Sequence, residues 1–258
     1  MSKDKLSKNK QNTLNIREFP IHKMKPGATI VIIGKRASGK SVLIKDIIQI
    51  HKHNFPIAKI LCGSEENNHF YSQTFHDLYI HNEYDEKALQ DLEKHQKMVI
   101  NKYGVDSPES RALLIIDDCN DDPKMLNRPM MQKYFKNGRH LSTAMMLALQ
   151  YGMDIKPNIR SNIDYIFIFR EPNENNRKNL FKNYAGIVGS YPDFCDLMDI
   201  ICQDYTALVI DNRVQSNNLE DCVFYYKAKI HEKVEFGCLE YKQWAEARYN
   251  KDYMKNIF

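Results

Sequence analysis

A chain of 258 residues, 43% hydrophobic and 27% charged, is long enough for one large α/β domain and too apolar for a disordered polymer. Its formal net charge of +4 permits a polyanionic partner without requiring one, since a local patch matters more than the total. No apolar run approaches the ~18 residues of a membrane helix, the start of the chain lacks a signal-peptide core, and six cysteines show neither a CxxC pair nor a zinc spacing. The expectation is a soluble, intracellular protein with reduced thiols and no membrane insertion.

Residues 1–15 are rich in Lys and Asn and lack periodicity, which predicts a flexible basic arm ahead of a single domain over 16–258. Lys3, Lys5, Lys8 and Lys10 could meet nucleic-acid phosphates, although a solvated tail is the commoner reason for such a run. Short apolar runs then follow at 29–34, 59–62, 112–118, 144–150 and 165–170. All but the second are nearly continuous in apolar residues, the pattern of strands covered on both faces. Between them, 41–53 carries Leu43, Ile44, Ile47 and Ile48 at helical spacing, and 86–101 is a charged helical stretch. Residues 16–170 therefore predict a doubly wound, mostly parallel α/β sheet with helices on both faces. Two further runs, 207–211 and 222–226, flank a polar segment and predict a C-terminal antiparallel hairpin, followed by a helix around 241–253.

The chemistry is concentrated where the first run ends. Gly34-Lys35-Arg36-Ala37-Ser38-Gly39-Lys40-Ser41 matches G-x-x-x-x-G-K-[ST], entered from a strand and left, through Val42, by an apolar-periodic helix. In such a loop, glycines let successive N–H groups point at phosphates, and the helix start adds its positive dipole. Lys40 would neutralise the β- and γ-phosphates of ATP, and the Ser41 hydroxyl would ligate Mg²⁺. The run Ala112-Leu113-Leu114-Ile115-Ile116 ends in Asp117 and Asp118, a costly place for two carboxylates unless they act there. Asp117 is assigned to the metal, and Asp118 to the attacking water, as base or as hydrogen-bonding partner. Gln150 ends the next core run, where doubly wound sheets bind ligands; an amide there could read the γ-phosphate or the water, though a plain strand end fits the local sequence nearly as well. No D-x-x-G follows the metal strand and no N-K-x-D occurs, which argues against a Ras-type GTPase. A water-activating acid beside the metal Asp argues for hydrolysis over transfer to a small acceptor.

The strings GKRASGKS, LLIIDDC, NGRHLSTAMMLALQY, IRSNIDYIFIFRE and LVIDNRVQSNNLEDCVFYYKA, in that order, resemble the genome-packaging ATPases of nucleocytoplasmic large DNA viruses. These are the poxvirus-type members of the FtsK–HerA superfamily. The resemblance implies a ring-shaped homo-oligomeric motor that threads double-stranded DNA into a capsid, with ATP and Mg²⁺ as cofactors. It also implies a capsid portal or membrane-vertex protein as partner, and a location in the virus factory of the host cytoplasm or in the virion. Family roles fall on Lys40, Ser41, Asp117 and Asp118, with Gln150 as sensor and Arg160 as candidate arginine finger toward a neighbouring subunit; Arg36, Arg139 and Arg170 are the other candidates for that finger. The second acid of the pair is usually Glu in the wider superfamily, and Asp118 departs from that pattern by being one methylene shorter. Without the resemblance, Arg160 reads more simply as a surface residue pairing with an acid such as Asp164. Two other uses fit the same motifs: a cellular-type FtsK–HerA translocase or helicase, and a nucleotide-dependent structural assembly protein.

Overall fold

The computed structural model describes residues 15–119, 124–152 and 155–249. Among them, runs with almost no polar side chain have only one way to hide both faces, which is to lie inside a sheet covered on both sides. The strands are β1 (Arg17–Glu18), β2 (Thr29–Ile33), β3 (Ile57–Cys62), β4 (Ile80–His81), β5 (Ala112–Asp117), β6 (Thr143–Leu149), β7 (Tyr165–Ile168), β8 (Thr206–Asp211) and β9 (Val223–Lys227). They form one sheet in the order β1-β9-β8-β7-β2-β6-β5-β3-β4. Every neighbouring pair is parallel except those made by β8, which runs against both β7 and β9. The doubly wound core and the antiparallel C-terminal pair are thus parts of one sheet.

Alternation along each strand divides the interior into two cores. Val31, Leu114, Leu147, Ile166 and Leu208 face one side; Ile30, Ile32, Ile115, Met146 and Phe167 face the other. The first side is covered by α3 (Glu86–Tyr103), α4 (Pro129–Asn137), α5 (Pro157–Arg160), α6 (Glu174–Tyr184) and α7 (Tyr191–Ile201), through Leu89, Met131, Ile159, Leu180 and Phe194. The second is covered by α1 (Lys40–His51), whose Leu43, Ile44, Ile47 and Ile48 are all buried. Each such side chain contributes about 1.5–3 kcal/mol on burial, so packing rather than capping holds α1 in place. Short helices α2 (Glu65–Asn68) and α8 (Leu219–Cys222) lie in connections, and α9 (Leu239–Glu246) closes the described chain.

Asp46 fastens the C-terminal region to α1. Its buried carboxylate accepts from the Tyr226 hydroxyl (2.7 Å), the Lys229 amide (2.9 Å) and His231 Nε2 (2.7 Å). Fully supplied with partners, a buried carboxylate is tolerated here and ties strand β9 to the helix that begins within the glycine loop 34–41.

The expected elements are present with shifted ends. The helix expected over 41–53 stops at His51, that over 86–101 runs to Tyr103, and the strand expected over 165–170 stops at Ile168. Helices α4, α6 and α7 lie in stretches for which no element was expected, because their apolar positions are interleaved with Asn, Lys and Asp. Of the helix expected over 241–253, the described part begins earlier, at Leu239, and ends at Glu246. Residues 250–253 of that expectation, and nearly all of the expected basic arm, fall outside the described residues. No helix among the described residues is long and apolar enough to cross a membrane.

Candidate nucleotide site

Parallel strands bring their carboxyl ends to one edge, and the chemistry expected from the sequence collects there. The loop after β2 turns at Lys35, whose carbonyl accepts from the Ser38 amide at 3.2 Å. It enters α1 through Gly39, held at φ 103°, a left-handed conformation that other residues adopt only under strain. Gly34 is required for a different reason: a methyl there would lie 2.5 Å from Ser38 Oγ and 2.8 Å from Phe169 Cβ. No side chain caps the first turn of α1, which leaves that turn's amides to a ligand.

Lys40 donates to the carbonyl oxygens of Gly34 (2.7 Å) and Lys35 (3.0 Å), so its ammonium lies inside the curve of the loop. Burial lowers its pKa, against the pull of Asp117 and Asp118, and an arriving polyphosphate would restore the charge's stability. Ser38 Oγ is buried without a hydrogen-bond partner among the described residues, an orphan that suits a loop shaped to receive anionic oxygens. Lys35 forms an ion pair with the buried Glu171 at 3.0 Å, anchoring the loop to the segment after β7. Arg36 and Ala37 are exposed at the tip, Ala37 at φ 60°, and Val42 is half-buried in the first turn of α1.

Asp117 ends β5 and meets Ser41, 76 positions away, through a 3.1 Å bond from the Ser41 hydroxyl to Oδ2. The same oxygen accepts from the Tyr71 hydroxyl at 2.8 Å. Burial raises the Asp117 pKa, while Tyr71, Ser41 and the Lys40 charge work in the opposite direction. The Tyr71 hydroxyl is itself pushed well up by burial and by the charge of Asp117, so it is held as a donor. Tyr71 in turn is positioned by buried Glu65, whose two carboxylate oxygens accept the amides of Tyr71 (2.9 Å) and Ser72 (2.8 Å).

Asp118 adopts φ 53°, a left-handed conformation that Asp tolerates better than most residues and that turns the chain away from the strand. Its Oδ1 accepts from Gln150 Nε2 at 2.9 Å, joining the two residues expected to handle water. No group of three or more His, Cys, Asp or Glu among the described residues could hold a metal by itself. The donor set present, one serine hydroxyl beside one carboxylate, suits Mg²⁺ that keeps most of its shell from phosphates and water.

The arginines separate. Arg139 pairs with Asp164, whose Oδ2 also accepts the Thr29 amide at 2.8 Å. That acid sits just before β7, at the amino-terminal edge of the sheet, opposite the phosphate loop. A cavity of about 330 Å³ lies there, lined by Lys25, Arg111, Arg139, Asp164 and Arg213 among others. Arg160 is not Asp164's partner; its guanidinium lies 5.7 Å above the Tyr184 ring. Arg36 and Arg170 are exposed. Tyr71 and Glu65 lie in no motif, and Glu171 only closes the string IRSNIDYIFIFRE; their burial and partners are what bring all three into the site.

A strand–glycine loop–helix with its lysine curled inward, and the next residue, a serine, bonded to the aspartate that ends a parallel strand of the same sheet, defines a P-loop ATPase. Residues 19–250 match the family described as Poxvirus A32 protein, and the chain belongs to that family. It is 40% identical over 248 residues to protein 075L of Invertebrate iridescent virus 6, covering 95% of each chain. It is 32% identical over 253 residues to protein L437 of Acanthamoeba polyphaga mimivirus, covering 96% of this chain and 88% of that one. The fold is similar to that of the genome packaging NTPase B204 from Sulfolobus turreted icosahedral virus 2 in complex with AMP, with a TM-score of 0.60 at 20% identity, covering 80% of this chain and 100% of that one. It is also similar to the pCW3 conjugation coupling protein TcpA, with a TM-score of 0.55 at 14% identity, covering 79% of this chain and 60% of that one.

Proposed function

We propose that this protein hydrolyses ATP to drive double-stranded DNA into a viral capsid. The observation that carries the reading is the meeting of Lys40, Ser41, Asp117, Asp118 and Gln150 at one sheet edge, in a chain of the Poxvirus A32 family. Lys40 would exchange its two carbonyl partners for the β- and γ-phosphate oxygens, a charge-assisted contact stronger than the bonds it gives up. Ser41 and Asp117 would hold Mg²⁺, which supplies charge neutralisation at the phosphates. Asp118 would orient the attacking water, and Gln150, bonded to the same carboxylate, would couple its position to the γ-phosphate. Arg160 would act on the ATP of an adjacent subunit in a homo-oligomeric ring, and the work would take place in the virus factory or the virion, at a capsid portal or membrane vertex.

The test is steady-state ATP turnover with and without duplex DNA, over a range of salt concentrations. Stimulation by DNA that falls steeply with salt and shows little sequence preference is expected, because the contacts would be to phosphates. Lys40→Ala should remove turnover. Turnover that ignores duplex DNA, or that survives in Lys40→Ala, would sink the motor or the phosphate-loop assignment respectively.

A further inference from the structure

Among the described strands β8 alone is reversed, and this bears on the phosphate loop. Because β8 runs antiparallel to β7, its first residue, Thr206, lies at the carboxyl edge beside the loop, while every other strand starts at the opposite edge. The turn that leads into β8 is therefore brought to the nucleotide site. In it the Thr206 amide donates to the Gln203 carbonyl at 2.8 Å, and Asp204 and Tyr205 have φ of 47° and 62°. Two successive left-handed residues closed by that bond make a type I′ turn, whose second central position strongly favours glycine. Here it holds a tyrosine that is 69% exposed. A strained backbone and an exposed aromatic ring at the same residue are both unfavourable for folding alone, and strain of this kind gathers where a ligand is clamped.

The ring's position says which part of a ligand it meets. A methyl built on Gly39 would touch Tyr205 Cδ1 at 3.5 Å and Tyr205 Cβ at 3.6 Å, so the side chain rises beside the start of α1. Asp117 lies on the other side of the loop, since the sheet runs β8-β7-β2-β6-β5. A nucleotide whose terminal phosphates sit between Lys40, Ser41 and Asp117 would carry its α-phosphate, ribose and base away from Asp117, toward β7 and β8. Tyr205, exposed and beside Gly39, stands on that side.

We propose that Tyr205 is the stacking platform for the base of the bound nucleotide, with a preference for the larger π-face of a purine. The proposal rests on the ATPase reading above and adds the base subsite to it. The platform offers no hydrogen-bond code of its own, so it selects ring size more than ring identity.

The experiment measures binding of ATP, CTP and inorganic tripolyphosphate to the full-length protein and to Tyr205→Phe, Tyr205→Ala and Tyr205→Gly. The last variant suits the left-handed backbone and so guards against a simple folding failure. Loss of the ring should weaken ATP about tenfold or more, the scale of aromatic–base stacking. It should narrow the preference for ATP over CTP and leave tripolyphosphate unchanged, while Tyr205→Phe keeps wild-type binding. Unchanged ATP affinity in both Tyr205→Ala and Tyr205→Gly would overturn the platform. So would an equal loss for tripolyphosphate, which would mean that the ring only shapes the loop. If Lys40→Ala loses neither ATP nor tripolyphosphate, the phosphate-loop reading itself fails, and that outcome is separate from any result at Tyr205.

Discussion

Replacing Tyr71 by Phe removes one hydroxyl from a ring that is 2% exposed, and so changes little except the 2.8 Å bond to Asp117 Oδ2. The acceptor is a buried carboxylate whose pKa burial has already raised, and Tyr71 is first among the partners that hold it down. A hydrogen bond to an ionised group contributes about 1.5–3 kcal/mol. Residues that support a metal ligand without touching the metal typically influence affinity or activity roughly 10- to 100-fold. Tyr71→Phe should therefore raise the Mg²⁺ concentration for half-maximal ATP turnover by about tenfold or more, and leave metal-free nucleotide binding near the wild-type level. The sign of the pH effect follows from the same bond. Without the donor the Asp117 carboxyl rises further, more of it is protonated at a given pH, and the acid limb of the activity profile moves to higher pH. A Mg²⁺ titration of ATP turnover at several pH values measures both effects. Wild-type Mg²⁺ dependence with an unmoved acid limb would refute the reasoning, because Tyr71 would then be a packing residue that happens to touch Asp117.

Three further outcomes are expected. Asp118→Asn should slow hydrolysis by about 10²-fold while ATP remains bound; combined with Gln150→Ala it should cost much less than the two single effects together, since the 2.9 Å bond makes them one unit, and additive losses in the double-mutant cycle would separate them. Arg160→Ala and Lys40→Ala subunits, each inactive alone, should regain partial turnover when mixed, because some interfaces pair an intact Lys40 with an intact Arg160; no recovery in rings shown to be mixed would exclude action between subunits. Burial lowers the His51 pKa, with Nε2 2.8 Å from the Ile21 carbonyl, so the unfolded chain binds this proton more readily than the fold does. Its contribution to stability is present above the ordinary histidine value of 6.5 and is lost as pH falls through the depressed folded value. Thermal unfolding from pH 7.5 down to about 5 should show a shallower acid decline in His51→Gln than in wild type, and parallel curves would count against the buried neutral imidazole.

Sequence alone determined what depends on neighbours along the chain. The eight residues from Gly34 to Ser41 dictate a loop in which Gly39 takes a φ of 103° and Gly34 leaves room for Ser38, while the close approach of Phe169 to Gly34 comes from the fold. Uninterrupted apolar runs dictated strands buried on both faces for the same local reason: their side chains alternate whatever lies beside them. Tertiary structure decided everything that joins distant positions. Asp117 meets Ser41 across 76 positions and Tyr71 across 46, and Gln150 meets Asp118 across 32; no periodicity encodes those distances. Arg139 rather than Arg160 took Asp164, because the start of β7 lies at the amino-terminal edge, where an isolated stretch of sequence carries no sign of which edge it will reach. Tyr205 is the extreme case. As a string, Gln203-Asp204-Tyr205-Thr206 is an ordinary polar turn, and it comes to the phosphate loop only because β8 pairs in reverse between β7 and β9. Strand direction is chosen by the packing of the whole sheet, so a residue's place in the site is a property of the fold and not of the segment that carries it.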